Sequence, residues 1–105
     1  MTIEFGKEYL QELYVNGRCN DKKHRFQQPV ISKYQKRVDT LMAANRKEDL
    51  FPFRSLGFEA LHGNKEGLFS IRVDLQYRLE FELEENEGDT KVTICRLQEL
   101  SNHYK

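Results

Sequence analysis

Residues 61–81 read Leu61-His62-Gly63-Asn64-Lys65-Glu66-Gly67-Leu68-Phe69-Ser70-Ile71-Arg72-Val73-Asp74-Leu75-Gln76-Tyr77-Arg78-Leu79-Glu80-Phe81, and the alternation inside this run settles the architecture. From Phe69 onward the apolar side chains take the odd positions (Phe69, Ile71, Val73, Leu75, Tyr77, Leu79, Phe81) and the polar ones take the even positions. A period of two describes a sheet with one face on a core and the other in water. Asp74-Leu75-Gln76 breaks the run and predicts a tight hairpin. Odd residues stay inward on both arms only if Val73 opposes Tyr77, because a slip of one residue turns every side chain over. That register sets Arg72 across from Arg78 on the solvent face. Like charges at facing positions destabilise a sheet, so a purely structural sequence has little reason to hold them there. A negatively charged ligand is the simplest use for the pair.

The remaining chain supplies the layer that covers such a sheet. Thr2–Phe5 reads as a short edge strand. Residues 6–15 read as a helix with Tyr9, Leu10, Leu13 and Tyr14 on one side and Asn16-Gly17 as its stop. Pro29 opens a second helix, at a position where a missing amide donor costs nothing. In it Ile31, Tyr34, Val38, Leu41 and Met42 recur at helical spacing, with Lys33, Lys36, Arg37 and Asp39 outside, and it is expected to end near Asn45. Pro52 forces an extended or turning chain, and Phe51, Phe53 and Phe58 are expected to cover one end of the sheet. Further strands are expected over 58–62, 67–73, 77–84 and 91–97, the last two joined by a turn at Asn86-Glu87-Gly88-Asp89. The pattern predicts one α+β domain over residues 1–105, its two N-terminal helices packed on one face of a mostly antiparallel β-sheet.

A chain of 105 residues builds one modest core. No apolar run is long enough to span a bilayer, and the N-terminus lacks the basic-then-apolar pattern of a signal peptide. The expectation is a cytoplasmic protein with Cys19 and Cys95 reduced. With three scattered histidines and no Cys-x-x-Cys pair, neither a metal nor another cofactor is expected. Gly63-Asn-Lys-Glu-Gly67 makes a poor phosphate loop, since no helix N-terminus follows it. Net charge is zero, but residues 1–57 carry 11 Lys/Arg against 7 Asp/Glu, and residues 58–105 carry 6 against 10. Neutrality argues against a nucleic-acid binder, while a bipolar surface can still present a basic patch. The polar connection Arg18–Gln28 holds Arg18, Lys22, Lys23, His24 and Arg25. It is either a solvated loop or an arm that touches phosphates.

The motifs Leu61-x-Gly63-Asn64-Lys65-x-Gly67, Ser70-Ile71-Arg72-Val73 and Gln76-Tyr77-Arg78-Leu79-x-Phe81 resemble the signature of HigB-type toxins, in the RelE/ParE superfamily of bacterial toxin–antitoxin systems. The ending Leu100-Ser101-Asn102-His103-Tyr104-Lys105 is similar to theirs too, a strand followed by a short tail with His and Tyr. The resemblance covers the C-terminal half in motif and the whole chain in length and element order. It implies a ribosome-dependent mRNA endoribonuclease that inhibits translation and is neutralised by a helix-turn-helix (HigA-like) antitoxin. Ribosome and messenger RNA are then its other partners, DNA is met only through the antitoxin, and no membrane is involved. Cleavage in that group proceeds by attack of a 2′-hydroxyl on the adjacent phosphate, without metal or other cofactor.

Such a reaction needs a base for the 2′-hydroxyl, an acid for the departing 5′-oxygen and cations for the crowded phosphate. The resemblance assigns the transition-state phosphate to Arg78, with Arg72 as its neighbour; the alternative is a pair of surface arginines bound to Glu80 or Asp74. His103 and Tyr104 occupy the tail position of catalytic groups in related toxins, against the alternative of a frayed terminus. His103 is suited to base or acid work and Tyr104 to stacking or proton relay. Many HigB-type toxins end Asp-Tyr-His, so the tail carboxylate is missing here, and Glu99 is the substitute at hand. His62 stands where relatives carry a lysine and is a second proton donor. Lys65, Lys22, Lys23, Arg25 and Lys105 form the expected RNA- and ribosome-binding set, and Tyr77 is read as core. The alternative reading is a non-enzymatic ParE-like inhibitor of DNA gyrase on the same scaffold, and a third is a degenerate toxin with neither activity.

Overall fold

In the computed structural model, which describes residues 1–85, 88 and 92–102 (for Val92 and Thr93 the backbone alone), the chain runs β1 (Thr2–Phe5), α1 (Glu8–Asn16), α2 (Gln28–Ala43), β2 (Glu59–Ala60), β3 (Phe69–Arg72), β4 (Tyr77–Glu85) and β5 (Val92–Asn102). Short 3-10 turns fill the connections. The five strands make one sheet in the order β1-β5-β4-β3-β2. β1 lies parallel to β5 and every other pairing is antiparallel, so the sheet is mixed.

The hairpin takes the register that the alternation demands. Ile71 pairs with Leu79 and Arg72 with Arg78, and the Val73 N–H donates to the Tyr77 carbonyl at 2.9 Å. Asp74 closes the turn by accepting the N–H groups of Gln76 (2.8 Å) and Tyr77 (2.7 Å), as an acidic turn residue does. Leu75 falls out of the alternation, since it sits at the tip and is 80% exposed.

β5 continues five residues beyond the expected end at Leu97. The reason is a bulge: pairing moves from Phe81↔Leu97 to Glu80↔Glu99, leaving Gln98 as an extra residue. Parity therefore switches, and both Leu97 and Leu100 are buried. An alternation rule alone loses the strand at that point. Asn86, Glu87 and Asp89 of the expected turn lie outside the described residues.

The helices bury Tyr9, Leu10 and Leu13 of α1 and Val30, Ile31, Tyr34, Val38 and Leu41 of α2 against Ile71, Val73, Leu79, Phe81, Cys95 and Leu97. Gly17 ends α1 with φ +72°, its N–H donating to the Leu13 carbonyl, a conformation that favours glycine. Met42 stays largely outside the core, and so do Phe51 and Phe53, which are 54% and 58% exposed. Of the three phenylalanines expected over the sheet end, Phe58 alone is half-buried, stacked on Phe69. Among the described residues no helix is long and apolar enough to cross a membrane.

The Tyr34 hydroxyl, fully buried, donates to the Leu10 carbonyl at 2.6 Å and so joins the two helices. Tyr34→Phe removes that bond without opening a cavity. It is expected to lower the unfolding free energy by about 1 kcal/mol, measured by urea denaturation; an unchanged midpoint refutes the tie.

Candidate functional site

Parity places Ser70, Arg72, Arg78 and Glu80 on the outer face of the sheet, but parity does not say what covers that face. Residues 54–67 do. Ser70, Arg78 and Glu80 are 1%, 6% and 7% exposed, so the expected solvent-facing position of Arg78 is corrected to a buried one. Its Nε donates to Ser70 Oγ at 2.8 Å, its Nη2 donates to the Gly57 carbonyl, and Glu59 Oε1 lies 3.6 Å from Nε. Neither carboxylate expected beside the arginines takes that place. Asp74 serves the turn, and Glu80 accepts Lys65 Nζ at 2.8 and 3.1 Å.

Arg72 remains exposed, yet its guanidinium comes to the same spot. Gly57 has φ +52°, and a Cβ added there would lie 3.5 Å from Arg78 Nη1 and 3.7 Å from Arg72 Nη2. Two cations thus converge on one stretch of backbone. Their mutual repulsion is offset by the Gly57 carbonyl and the Glu59 carboxylate, both close to Arg78.

From Arg72 a groove of about 440 Å³ runs between α2 and the hairpin, lined among others by Lys33, Lys36, Arg37, Ser55 and Asp74. The Arg37 Nε donates to the Arg72 carbonyl at 2.8 Å and pins α2 to the end of β3. Four cations therefore face one acid whose carboxylate is already engaged by two backbone amides. The sequence reading left these helix cations as mere exterior. The signal was present in their spacing, because residues three and four apart share a helix face.

The other expected site residues among those described do not line this groove. His62 is exposed at the entry to the 63–65 turn, where its carbonyl accepts the Lys65 N–H at 3.3 Å. Lys65 is tied to Glu80 instead of standing free in its loop. Lys22, Lys23 and Arg25 belong to a turn that docks at the far edge of the sheet, where His24 stacks on Tyr9 (3.6 Å between ring centres, 6° between planes). They are not gathered with Arg72. His103, Tyr104 and Lys105 lie outside the described residues. Tyr77 is core-packed as expected, its ring meeting Phe26 edge-on.

At that far edge Glu99 binds Lys7 Nζ at 2.8 Å, accepts the Tyr9 hydroxyl, and lies 3.8 Å from His24 Nε2. Burial raises its pKa, but the bonds from Lys7 and Tyr9 outweigh that and hold the carboxyl below its ordinary value. Cys95 is no nucleophile, since burial pushes its thiol up to about 12. At the opposite end of β4 from Arg78, Arg96 is surrounded by Glu4, Glu82 and Glu84. The arrangement as a whole offers a cationic end suited to a phosphodiester, and an acidic end that repels one.

Comparisons with known proteins bear on the family and the fold. Residues 3–92 match a family model described as RelE-like toxin of type II toxin–antitoxin system HigB. Toxin HigB-1 of Vibrio cholerae serotype O1 is 35% identical over 83 residues, which make up 78% of this chain and 83% of that protein. Among solved structures, a YoeB/ParE toxin from Agrobacterium tumefaciens superposes with a TM-score of 0.55 at 13% identity, covering 99% of this chain and 100% of the other. A mutant of YafQ from E. coli gives 0.50 at 15% identity, covering 96% and 91%. At such identities the two structures speak for the fold alone, helices packed on a mixed five-stranded sheet.

The two arginines are expected to part company on mutation. Arg78→Ala strips buried Ser70 and the Gly57 carbonyl of their partner and is expected to cost roughly 2–3 kcal/mol of stability. Arg72→Ala on the exposed side is expected to stay within about 0.5 kcal/mol of the parent. Guanidinium unfolding of both variants checks this, and equal midpoints overturn the assignment of Arg78 as a buried tie.

Proposed function

The chain belongs to the family of HigB-like, RelE-like toxins of type II toxin–antitoxin systems, and on that premise we propose that it is a ribosome-dependent endoribonuclease that cleaves messenger RNA in the cytoplasm and so inhibits translation. The single observation that carries the reading is the convergence of Arg72 and Arg78 on Gly57, at the head of the groove lined by Lys33, Lys36 and Arg37. In a chain of zero net charge, this is a concentration of cations suited to one phosphate and its neighbour along the strand.

The ribosome presents an unpaired message, and Lys33, Lys36 and Arg37 hold its backbone. The scissile phosphate rests against Arg72, with Arg78 fixed behind it. Attack of the 2′-hydroxyl on that phosphate builds negative charge on the equatorial oxygens, which preorganised guanidiniums stabilise at no cost of reorganisation. The P–O5′ bond breaks and leaves a 2′,3′-cyclic phosphate. His103 exchanges protons between the 2′-hydroxyl and the departing 5′-oxygen, Tyr104 stacks on a base or relays the proton, and His62 is the second proton donor. Lys65 acts through Glu80 on the loop at the site's border, while Lys22, Lys23, Arg25 and Lys105 reach ribosomal phosphate. No metal or cofactor takes part. A helix-turn-helix antitoxin holds the toxin silent.

A second reading, a ParE-like inhibitor that blocks DNA gyrase by binding, gains support from Lys65 and Arg78 both being committed to carboxylates. One experiment separates the two. Expressed without its partner, the protein is expected to arrest growth, and primer extension is expected to show cuts that depend on translation. Intact messages with failing DNA supercoiling would transfer the protein to the gyrase reading, and unimpaired growth at good expression would remove both.

The tail assignment has its own test. On programmed ribosomes at saturating toxin, His103→Ala is expected to slow single-turnover cleavage by roughly 10²- to 10⁴-fold, the usual effect of losing a general acid or base. A rate within about threefold of the parent removes His103 from the chemistry and moves the proton to His62.

A further inference from the structure

We propose that Phe51 and Phe53 form a stacking platform for one unpaired base of the RNA, beside the phosphate held by Arg72 and Arg78. The proposal rests on the nuclease reading above and names a subsite that this reading does not contain. Both rings are more than half exposed, at 54% and 58%. They flank a cleft of about 480 Å³ that Arg54, Gly57, Phe58 and Glu59 also line. Gly57 is the residue on which the two guanidiniums converge. A nucleotide with its phosphate at that point has its base at the mouth of the cleft.

The exposure of Phe51 is built into the fold. Its ring packs on Phe58 at 5.4 Å, Phe58 stacks on Phe69 at 5.4 Å with 17° between planes, and Phe69 meets fully buried Phe81 at 6.3 Å. Four aromatic rings thus lead from the core to the surface, and the last, Phe51, is more than half exposed. A platform backed in this way loses little conformational freedom when a base lands on it. Lys47, 5.8 Å from the Phe69 ring centre, adds a cation along the same series of rings.

Charge selects the occupant. Arg54 and Glu59 line the cleft, the Arg72 and Arg78 guanidiniums reach the Gly57 that also lines it, and Glu59 is itself 3.6 Å from Arg78. Aromatic faces interleaved with arginines match a single-stranded nucleic acid, whose bases stack while its phosphates pair. Phe51-Pro52-Phe53-Arg54 supplies both kinds of group within four residues. Phe51 and Pro52 sit in a turn between two short 3-10 helices, Lys47–Leu50 and Arg54–Leu56.

The test uses full-length toxin and ribosomes programmed with a message carrying a 2′-deoxy block and 2-aminopurine at the decoding site, with toxin binding followed separately by ribosome pelleting. The parent is expected to pellet and to quench the 2-aminopurine. Phe51→Ala and the Phe51→Ala/Phe53→Ala pair are expected to pellet without quenching, and Phe51→Trp to restore it. On a cleavable message the double variant is expected to lose roughly 5- to 100-fold in kcat/KM, the scale of one lost base stack. Equal quenching by parent and double variant, with cleavage intact, overturns the platform and leaves the nuclease standing. Parent toxin that neither pellets nor cleaves overturns both.

Discussion

A guanidinium that is 6% exposed must have its charge answered inside the protein, and among the described residues Arg78 has it answered from three segments at once. Ser70 supplies a hydroxyl from β3, Gly57 a carbonyl from the covering loop, and Glu59 a carboxylate from β2. A buried charge without partners costs several kcal/mol, so any displacement of that loop is resisted. The planar fork of arginine spreads five donors over a rigid plane and so reaches acceptors on separate segments, where the ammonium of a lysine is a compact point charge. What looks like a ligand-binding residue is therefore first a strut. It fixes the loop, the loop fixes Gly57, and Gly57 marks where the Arg72 guanidinium ends.

This explains which parts of the molecule were legible in the sequence. The hairpin was, down to the pairing of Arg72 with Arg78, because a period of two and a polar break leave one register. The helices were as well, because Ile31, Tyr34, Val38 and Leu41 carry a helical period. Leu100 was not, since the bulge opposite Glu80 and Phe81 shifts its parity and no local signal marks it. Nor was the burial of Arg78 and Glu80. Alternation assigns a residue to a face, while covering that face depends on a loop whose path is set by contacts distant in sequence. The aromatic series failed for the same reason: Phe51, Phe53 and Phe58 look alike in sequence and differ in what they meet.

The candidate site was legible by halves. Arg72 and Arg78 announced themselves through a repulsion that a plain sheet would avoid. The spacing of Lys33, Lys36 and Arg37 puts them on one helix face, but cations on the outer side of a helix are ordinary. They become part of a site only when Arg37 binds the Arg72 carbonyl and sets α2 against the hairpin. A site shared between a helix and a strand is not a pattern in either one.

The neutrality of the chain, which first argued against RNA, has a different meaning once the charges are placed. Arg96 gathers Glu4, Glu82 and Glu84 near one end of β4, leaving an excess of negative charge there. Near the other end, Lys33, Lys36, Arg37 and Arg72 face one engaged carboxylate. The zero sum conceals a dipole along the strand. Fields of this kind persist over about 8 Å at physiological salt, so they orient an RNA already close to the surface and attract little from afar. Non-specific affinity for nucleic acid comes from neutralising many phosphates at once, which a balanced protein does poorly. On the proposed reading this weakness serves the function, because a toxin with little hold on free RNA cuts where the ribosome has already brought the message to it.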